Sequence, residues 1–459
     1  MKNILSFVEK SKQNYLDELK TLLAIPSVSS QSKYNPDTRK CAEWVRDQFK
    51  KIGMTKSQIF ETPGHPIVYS ELISDPKKPT ILFYGHYDVQ PVDPINLWTT
   101  PPFESNIRDG NLFARGSADD KGQIFIHFKA IEAILKHERE LPINIKMLIE
   151  GEEEVGSVNL ENFVKANKKM LKADLVLISD SAMYAKGLPS ICYGLRGLAY
   201  MEIEVVGPNR DLHSGSFGGA VHNPIQALSE IIASLHDEKG RVNIPGFYND
   251  VQKVTSKERQ AFKRLPFSDK KYMKDLGVGE LYGEVGYSTN ERTWVRPTLE
   301  CNGIWGGYIE QGAKTVLPSK ASAKISMRLV PNQSSKKMEK LFTNHIKKIA
   351  PKSVKVTVKA LHGGEAVVTP LESAGVKAAA SALNKAFGKK PLFQREGGSI
   401  PIVVQFKHLL GLDTVLLGFG LPDENAHSPD EHLNLDNFFG GIRTAIYFYY
   451  ELKNYIKKT

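Results

Sequence analysis

PTILFYGHYDVQP, residues 79–91, opens with a short apolar run at 80–84, closes it with Gly85, and then offers His86 and Asp88. An unbroken apolar run, as opposed to an alternating one, predicts a strand covered on both faces, as in parallel sheets packed between helices. His86 and Asp88 then fall at the strand's carboxyl end, where α/β sheets place ligands. The same grammar recurs downstream. INIKMLIEGEEE (143–154) predicts a strand running into an acidic loop, and ADLVLISD (173–180) a strand ending on an acid. Between them and the first strand, KGQIFIHFKAIEAILKH (121–137) predicts a helix. Three strand ends thus present polar side chains.

Outward from this centre, a helix of about 20 residues and a second at roughly 38–52 lead into the α/β region. After Asp180 the pattern changes. Residues 198–208 alternate as a half-exposed antiparallel strand does, a helix follows at about 224–235, and a loop-rich stretch runs to about Pro297. A strand at 321–329, a helix at 336–349 and a strand at 354–361 then suggest a separate α+β layer. From about Gly364 the α/β style returns, with a helix at 373–387, the turn REGGS, a helix beginning near Pro401 and the strand DTVLLGFG. The reading is an α/β domain, 1–195 and 364–459, interrupted by an inserted α+β domain, 196–363. A chain of 459 residues suits two such units.

Hydrophobic residues at 41% and charged residues at 24% fit a folded, soluble protein. The amphipathic N-terminus lacks the features of a secretory signal, and no apolar run approaches the roughly 20 residues of a membrane span. No membrane partner is expected. Cys41, Cys192 and Cys301 form no CxxC pair, so each reads as a small buried hydrophobe in a cytoplasmic protein. The net charge of +10 is spread along the chain without a dense basic run, which argues against a nucleic-acid partner. KHERE (136–140), KERQAFKR (257–264) and FSDKKYMKD (267–275) read as solvated faces.

The chemistry concentrates in five places: His86 and Asp88, Asp119 in RGSADDKG, Glu153 and Glu154 in EGEEEVGS, Asp180 in LISDS, and His427 in NAHSPDE. Imidazole and carboxylate groups suit zinc, and two ions need about five or six of them, with one carboxylate shared. Any one of these residues could be an ordinary polar group at a strand end. Together they supply the inventory for two ions.

These motifs, in this order, resemble those of the dinuclear zinc metallopeptidase family of carnosine dipeptidases, aminoacylases, tripeptide-cleaving peptidases and succinyl-diaminopimelate desuccinylases. The resemblance covers nearly the whole chain. DLHSGSFGG, GAKTVLP, MRLVP and REGGSIP bring it nearest to the carnosine dipeptidase-like branch. It implies a zinc-peptidase-like catalytic domain, a central mixed sheet flanked by helices, interrupted by an α+β lid and dimerisation domain. It also implies two Zn2+ per subunit, with Mn2+ an alternative that a carboxylate-rich site tolerates. His86 and Asp180 would bind one ion, Glu154 and His427 the other, and Asp119 both. Asp88 would orient His86, and Glu153 would be the general base activating a bridging water. Spacing alone leaves Glu150 and Glu152 open as alternatives. For them, a charge at a helix start or a solvated loop is the plainer reading.

In the inserted domain, the resemblance implies that His213 donates a hydrogen bond to the tetrahedral oxyanion across the interface of a homodimer, worth about 3 kcal/mol. Arg328 would grip a substrate's terminal carboxylate with its planar fork, and Thr315, Ser399 and His362 would hold the same group or line the pocket. The expected activity is amide hydrolysis of dipeptides or short peptides with a free C-terminus, as a dipeptidase or carboxypeptidase. Deacylation of N-acyl amino acids is the alternative on the same machinery. A non-catalytic binding protein on the same fold is a more distant one.

Overall fold

The structure, a computed structural model, describes residues 1–398 and 400–456 and divides into two compact units. The first comprises Met1–Tyr193, Thr369–Gln394 and Gln405–Thr459, and the second Gly194–Val368 and Arg395–Val404.

The first unit is built on a mixed sheet. Asn144–Glu150, Thr80–His86, Leu175–Ile178 and Thr414–Leu416 lie side by side in that order, all parallel. The antiparallel strands Ile67–Leu72 and Lys56–Phe60 extend one side, and Ser190–Leu195 pairs antiparallel on the other. Every residue of Thr80–His86 and Asn144–Glu150 is buried, as an apolar run between two helical layers requires. The register sets His86 beside Glu150 and Tyr84 beside Ile178, so the parallel strands end together.

Helix Lys121–Leu135 is buried almost all round, with Ile124, Phe125, Phe128 and Ile131 in the core. Asn35–Lys51 contributes a stripe of Cys41, Ala42, Val45 and Phe49 at helical spacing. The last helix, Leu435–Tyr455, packs on both Ala374–Phe387 and Lys121–Leu135. Each large apolar side chain so buried is worth about 1.5–3 kcal/mol, and together they make the strand ends a rigid platform. The N-terminal helix differs from its expected single span: it breaks at Ser11 into Lys2–Lys10 and Lys12–Leu23. A three-stranded ribbon, Asn106–Arg108, Asn111–Phe113 and His432–Asn434, joins the segment before Asp119 to the segment after His427.

The second unit holds an antiparallel sheet in the order Thr298–Gly306, Lys320–Leu329, Gly197–Val206, Lys355–Gly364. Gly197–Val206 alternates buried and half-exposed residues. Its Ala199, Met201, Ile203 and Val205 join Leu228 and Ile231 of helix Pro224–Ala233 and Met338, Phe342 and Ile346 of helix Ser335–Ile349 in one apolar cluster. The stretch expected to be loop-rich contains three short helices, Ser256–Lys263, Asp269–Leu276 and Thr289–Trp294. Their polar composition hides the periodicity, although capping boxes at Thr255/Glu258 and Ser288/Glu291 mark two of the starts.

Residues 395–404 group with the second unit, whereas the sequence assigns them to the first. Local bonds account for this: Arg395 pairs with Glu258, and Arg196 donates from its backbone N–H to Gly398 O and from Nε to Gly397 O. Cys41 and Cys192 are buried, but Cys301 is exposed on the edge strand Thr298–Gly306. Among the described residues, no helix is long and apolar enough to cross a membrane.

Candidate metal centre

Three of the four parallel strands deliver a part of the centre at their carboxyl ends. His86 is the last residue of its strand, Glu153 and Glu154 begin a short 3-10 turn just after Asn144–Glu150, and Asp180 follows Leu175–Ile178 by two residues. Asp119 lies in the loop before helix Lys121–Leu135, and His427 in the loop before His432–Asn434. The structure brings these together as two triads sharing one member. The ligand atoms of His86, Asp119 and Asp180 lie within 4.8 Å of one another, as do those of Asp119, Glu154 and His427. Asp119 divides its oxygens between them: Oδ1 lies 3.0 Å from His86 Nε2 and Oδ2 lies 2.8 Å from His427 Nε2. His86 Nε2 is 3.8 Å from Asp180 Oδ2, and His427 Nε2 is 3.3 Å from Glu154 Oε2.

The electrostatics of this cluster call for cations. Burial, then the neighbouring Asp119 carboxylate, pushes Asp180 well above the usual carboxylate range. Burial also lifts Glu153 to about 7, with His86 pulling down and Asp119, Glu154 and Asp88 pushing up. Burial opposes the charge on Asp119 too, but hydrogen bonds from His427 and His86 hold it well below its ordinary value. The two imidazoles are raised, His86 against its own burial and His427 chiefly by Asp119 and Glu154. Four carboxylates and two imidazoles thus crowd one place, donors of the kind that hold divalent cations. Divalent cations on the same donors would neutralise the acids and release the imidazole protons, so the residues fit a dinuclear site.

Supporting groups fix this geometry. Asp88, fully buried, accepts the backbone N–H of Glu153 at Oδ1 and of Glu154 at Oδ2, at 3.2 and 3.1 Å. His86 Nδ1 lies 3.0 Å from the Asp88 carbonyl oxygen and 3.4 Å from its Oδ1, which leaves Nε2 to face the cluster. Asp88 therefore meets three functional residues, not His86 alone. Gln90 donates to Glu154 Oε2 at 2.8 Å, a contact for which its sequence gave no sign beyond its place in the opening motif.

Glu150 and Glu152 are buried, not solvated as the acidic run suggests. Glu150 accepts from Tyr84 Oη and Ser157 Oγ, and Glu152 from the N–H of His65 and from Asn159. They anchor the turn that carries Glu153 and Glu154.

Of the remaining sequence-predicted residues, His213, Thr315, Arg328 and His362 belong to the second unit. His213 is exposed and its Nδ1 accepts from Gly215 N–H. It pairs with Val316 in a two-residue ladder, and Ser214 N–H donates to Thr315 O, so His213 and Thr315 are neighbours. Arg328 lies opposite Leu198, and His362 lies opposite Tyr200 with ring centroids 5.1 Å apart. Ser399 is outside the described residues.

Comparison with known proteins gives the chain a family. A match to Peptidase family M20/M25/M40 spans residues 82–451. The Cys-Gly metallodipeptidase dug1 of Schizosaccharomyces pombe is 35% identical, covering 97% of this chain and 97% of its own. The crystal structure of human carnosine dipeptidase 1 aligns with a TM-score of 0.86 at 31% identity, covering 99% of this chain and 98% of that one. The M20 family metallo-carboxypeptidase Sso-CP2 from Sulfolobus solfataricus aligns with a TM-score of 0.86 at 35% identity, covering 96% and 99%. Agreement over nearly the full length, in sequence and in fold, leaves one assignment: this chain belongs to peptidase family M20/M25/M40, in its carnosine dipeptidase-like branch.

Proposed function

We propose that the chain is a dinuclear zinc dipeptidase or carboxypeptidase that cleaves the amide bond of dipeptides and short peptides bearing a free C-terminal carboxylate. The observation that carries this reading is the pair of triads sharing Asp119, with Glu153 beside them but a member of neither. The relatives' names, a Cys-Gly dipeptidase, a carnosine dipeptidase and a carboxypeptidase, support the substrate class.

When bound, a zinc pair supplies the charge that polarises a carbonyl and lowers the pKa of a shared water to about 7. His86, Asp119 and Asp180 would hold one ion, and Asp119, Glu154 and His427 the other. Glu153 takes a proton from the attacking water and returns it to the leaving amine. Burial favours the protonated form of this carboxyl group, which suits a residue that must hold a proton between the two transfers. The neighbouring glutamate cannot do this while it serves as a ligand. Arg328 receives the substrate's terminal carboxylate, with His362 beside it in the same role; the substrate-binding role implied for Ser399 falls outside the described residues. A cytoplasmic location belongs to the same proposal.

His213 and Thr315 act on a partner subunit's substrate. In the second unit's sheet, Arg328 pairs at the Leu198 end of the central strand, while Lys320 pairs at Val206, beside the segment holding His213 and Thr315. Eight residues of strand put the two ends roughly 25 Å apart, too far for one dipeptide to touch both in a single chain. A homodimer would supply each site with the other chain's His213. Mixed subunits test this. Glu153→Gln and His213→Ala should each be nearly inactive, yet co-expressed chains should recover about one quarter of the wild-type rate, because half the random dimers carry one complete site. No recovery above the two single variants would rule out the shared site.

The substrate class is tested by a panel of unblocked dipeptides beside N-acyl amino acids, with metal content measured on the same sample. Turnover of free dipeptides with two zinc ions per chain is expected. Turnover of acyl amino acids alone would make the chain a deacylase.

A further inference from the structure

We propose that Glu431 is a positioning residue that sets the spacing of the two metal positions by clamping the Asp119 loop to the His427 loop. The inference rests on the dinuclear reading above and extends it to a group that touches neither ion.

Glu431 is completely buried, and its carboxylate makes four bonds. Oε2 accepts from Arg115 Nη1 at 2.6 Å and from Gly116 N–H at 3.1 Å. Oε1 accepts from Ala118 N–H at 2.9 Å and from Asp119 N–H at 3.1 Å. That uses the roughly four acceptor sites a carboxylate has. Its carbonyl oxygen accepts Ala114 N–H, and Arg115 Nη2 reaches back to Pro91 O at 3.0 Å. One side chain therefore holds the loop that carries Asp119, the residue shared by both triads.

Four residues earlier on the same segment stands His427, the ligand of one position only. The turn between is tightly specified. Asn425, His427 and Asp430 all adopt left-handed backbone conformations that residues other than glycine rarely take, and Asp430 is pinned by Thr99 N–H and Oγ1. Glu431 thus fixes Asp119 on one side and the base of the His427 turn on the other. A buried arginine–carboxylate pair is a poor device for stability alone, because desolvation offsets most of its attraction. Here every bond of the carboxylate ends on the segment that delivers the shared ligand. Glu424, a second buried acid in this region, shows the contrast: its oxygens accept Leu421 N–H and Asn434 N–H and none from the Asp119 loop.

The test is titration of Co2+ into metal-stripped full-length chain, read by visible absorbance and by competition with a chelator. Wild type should bind two Co2+. Glu431→Gln keeps the volume but turns one acceptor into a donor facing backbone N–H groups. It should weaken at least one Co2+ by about 10–100-fold and shift the ligand-field bands, as lost support around a metal ligand does. Glu424→Gln, equally buried, should leave both affinities near wild type whatever it does to the melting temperature. Wild-type Co2+ binding in Glu431→Gln, or equal weakening in Glu424→Gln, would overturn the proposal. If Glu431→Gln does not fold, Arg115→Lys takes its place, with a smaller weakening expected and an unchanged titration counting against the clamp. A wild-type chain that binds fewer than two Co2+ would instead defeat the dinuclear reading itself.

Discussion

Asp119→Ala is expected to abolish binding of both ions and to bring dipeptide hydrolysis down to background. The reasoning is geometric. Asp119 is the only residue common to the two triads, and its oxygens face His86 on one side and His427 on the other. Removing it leaves His86 with Asp180, and Glu154 with His427. Two protein ligands are fewer than the three or four that hold zinc in catalytic and structural sites. Removal also takes away the acceptor that both imidazoles face, so the loss exceeds that from any unshared ligand, such as His427→Ala. Elemental analysis after dialysis, together with the dipeptide assay, measures both. A variant that kept two ions and a rate within about tenfold of wild type would show that the triads do not share a ligand.

Glu153→Gln is expected to do the opposite to metal and the same to turnover. The amide keeps the shape of the turn, and the backbone N–H of residue 153 still meets Asp88. No triad contains the side chain, so metal content should remain at the wild-type level. What is lost is a proton acceptor lifted to about 7, and general-base catalysis of this kind contributes about 10²–10⁴-fold. The loss should fall on kcat, with KM nearly unchanged. A rate close to wild type would reassign the base, and Glu150 and Glu152 would be poor replacements, since their oxygens are already held by Tyr84, Ser157, His65 and Asn159.

Much of this was legible in the order of residues because it depends on local patterns. An unbroken apolar run at 80–84 means a strand covered on both faces, and a polar residue directly after it can only sit at the strand's end. His86, Asp180 and the Glu153–Glu154 pair follow from that. Asp119 and His427 stand at no strand end and entered only as members of the ligand inventory, and their roles as shared ligand and distant ligand were implied by family resemblance alone. The edge strand Lys56–Phe60 escaped because its partly exposed KSQIF sequence has little apolar signal.

The acids Glu150, Glu152 and Glu431 escaped for a different reason. A charged residue looks the same in sequence whether water or four N–H groups satisfy it, and only tertiary packing decides which. The sequence places residues 395–404 with the α/β domain because their pattern says nothing of Arg395 meeting Glu258.

Asp119 and His427, in contact through one oxygen, stand 308 positions apart along the chain. At a ribosome's pace of about 5–20 residues per second, about 15 s to a minute separates their synthesis. Once Asp180 is made, 247 positions before His427, the nascent polypeptide carries four of its five proposed ligands and lacks the fifth, so only the His86 triad has all its members. On the dinuclear reading, the second triad is completed only when translation is nearly finished.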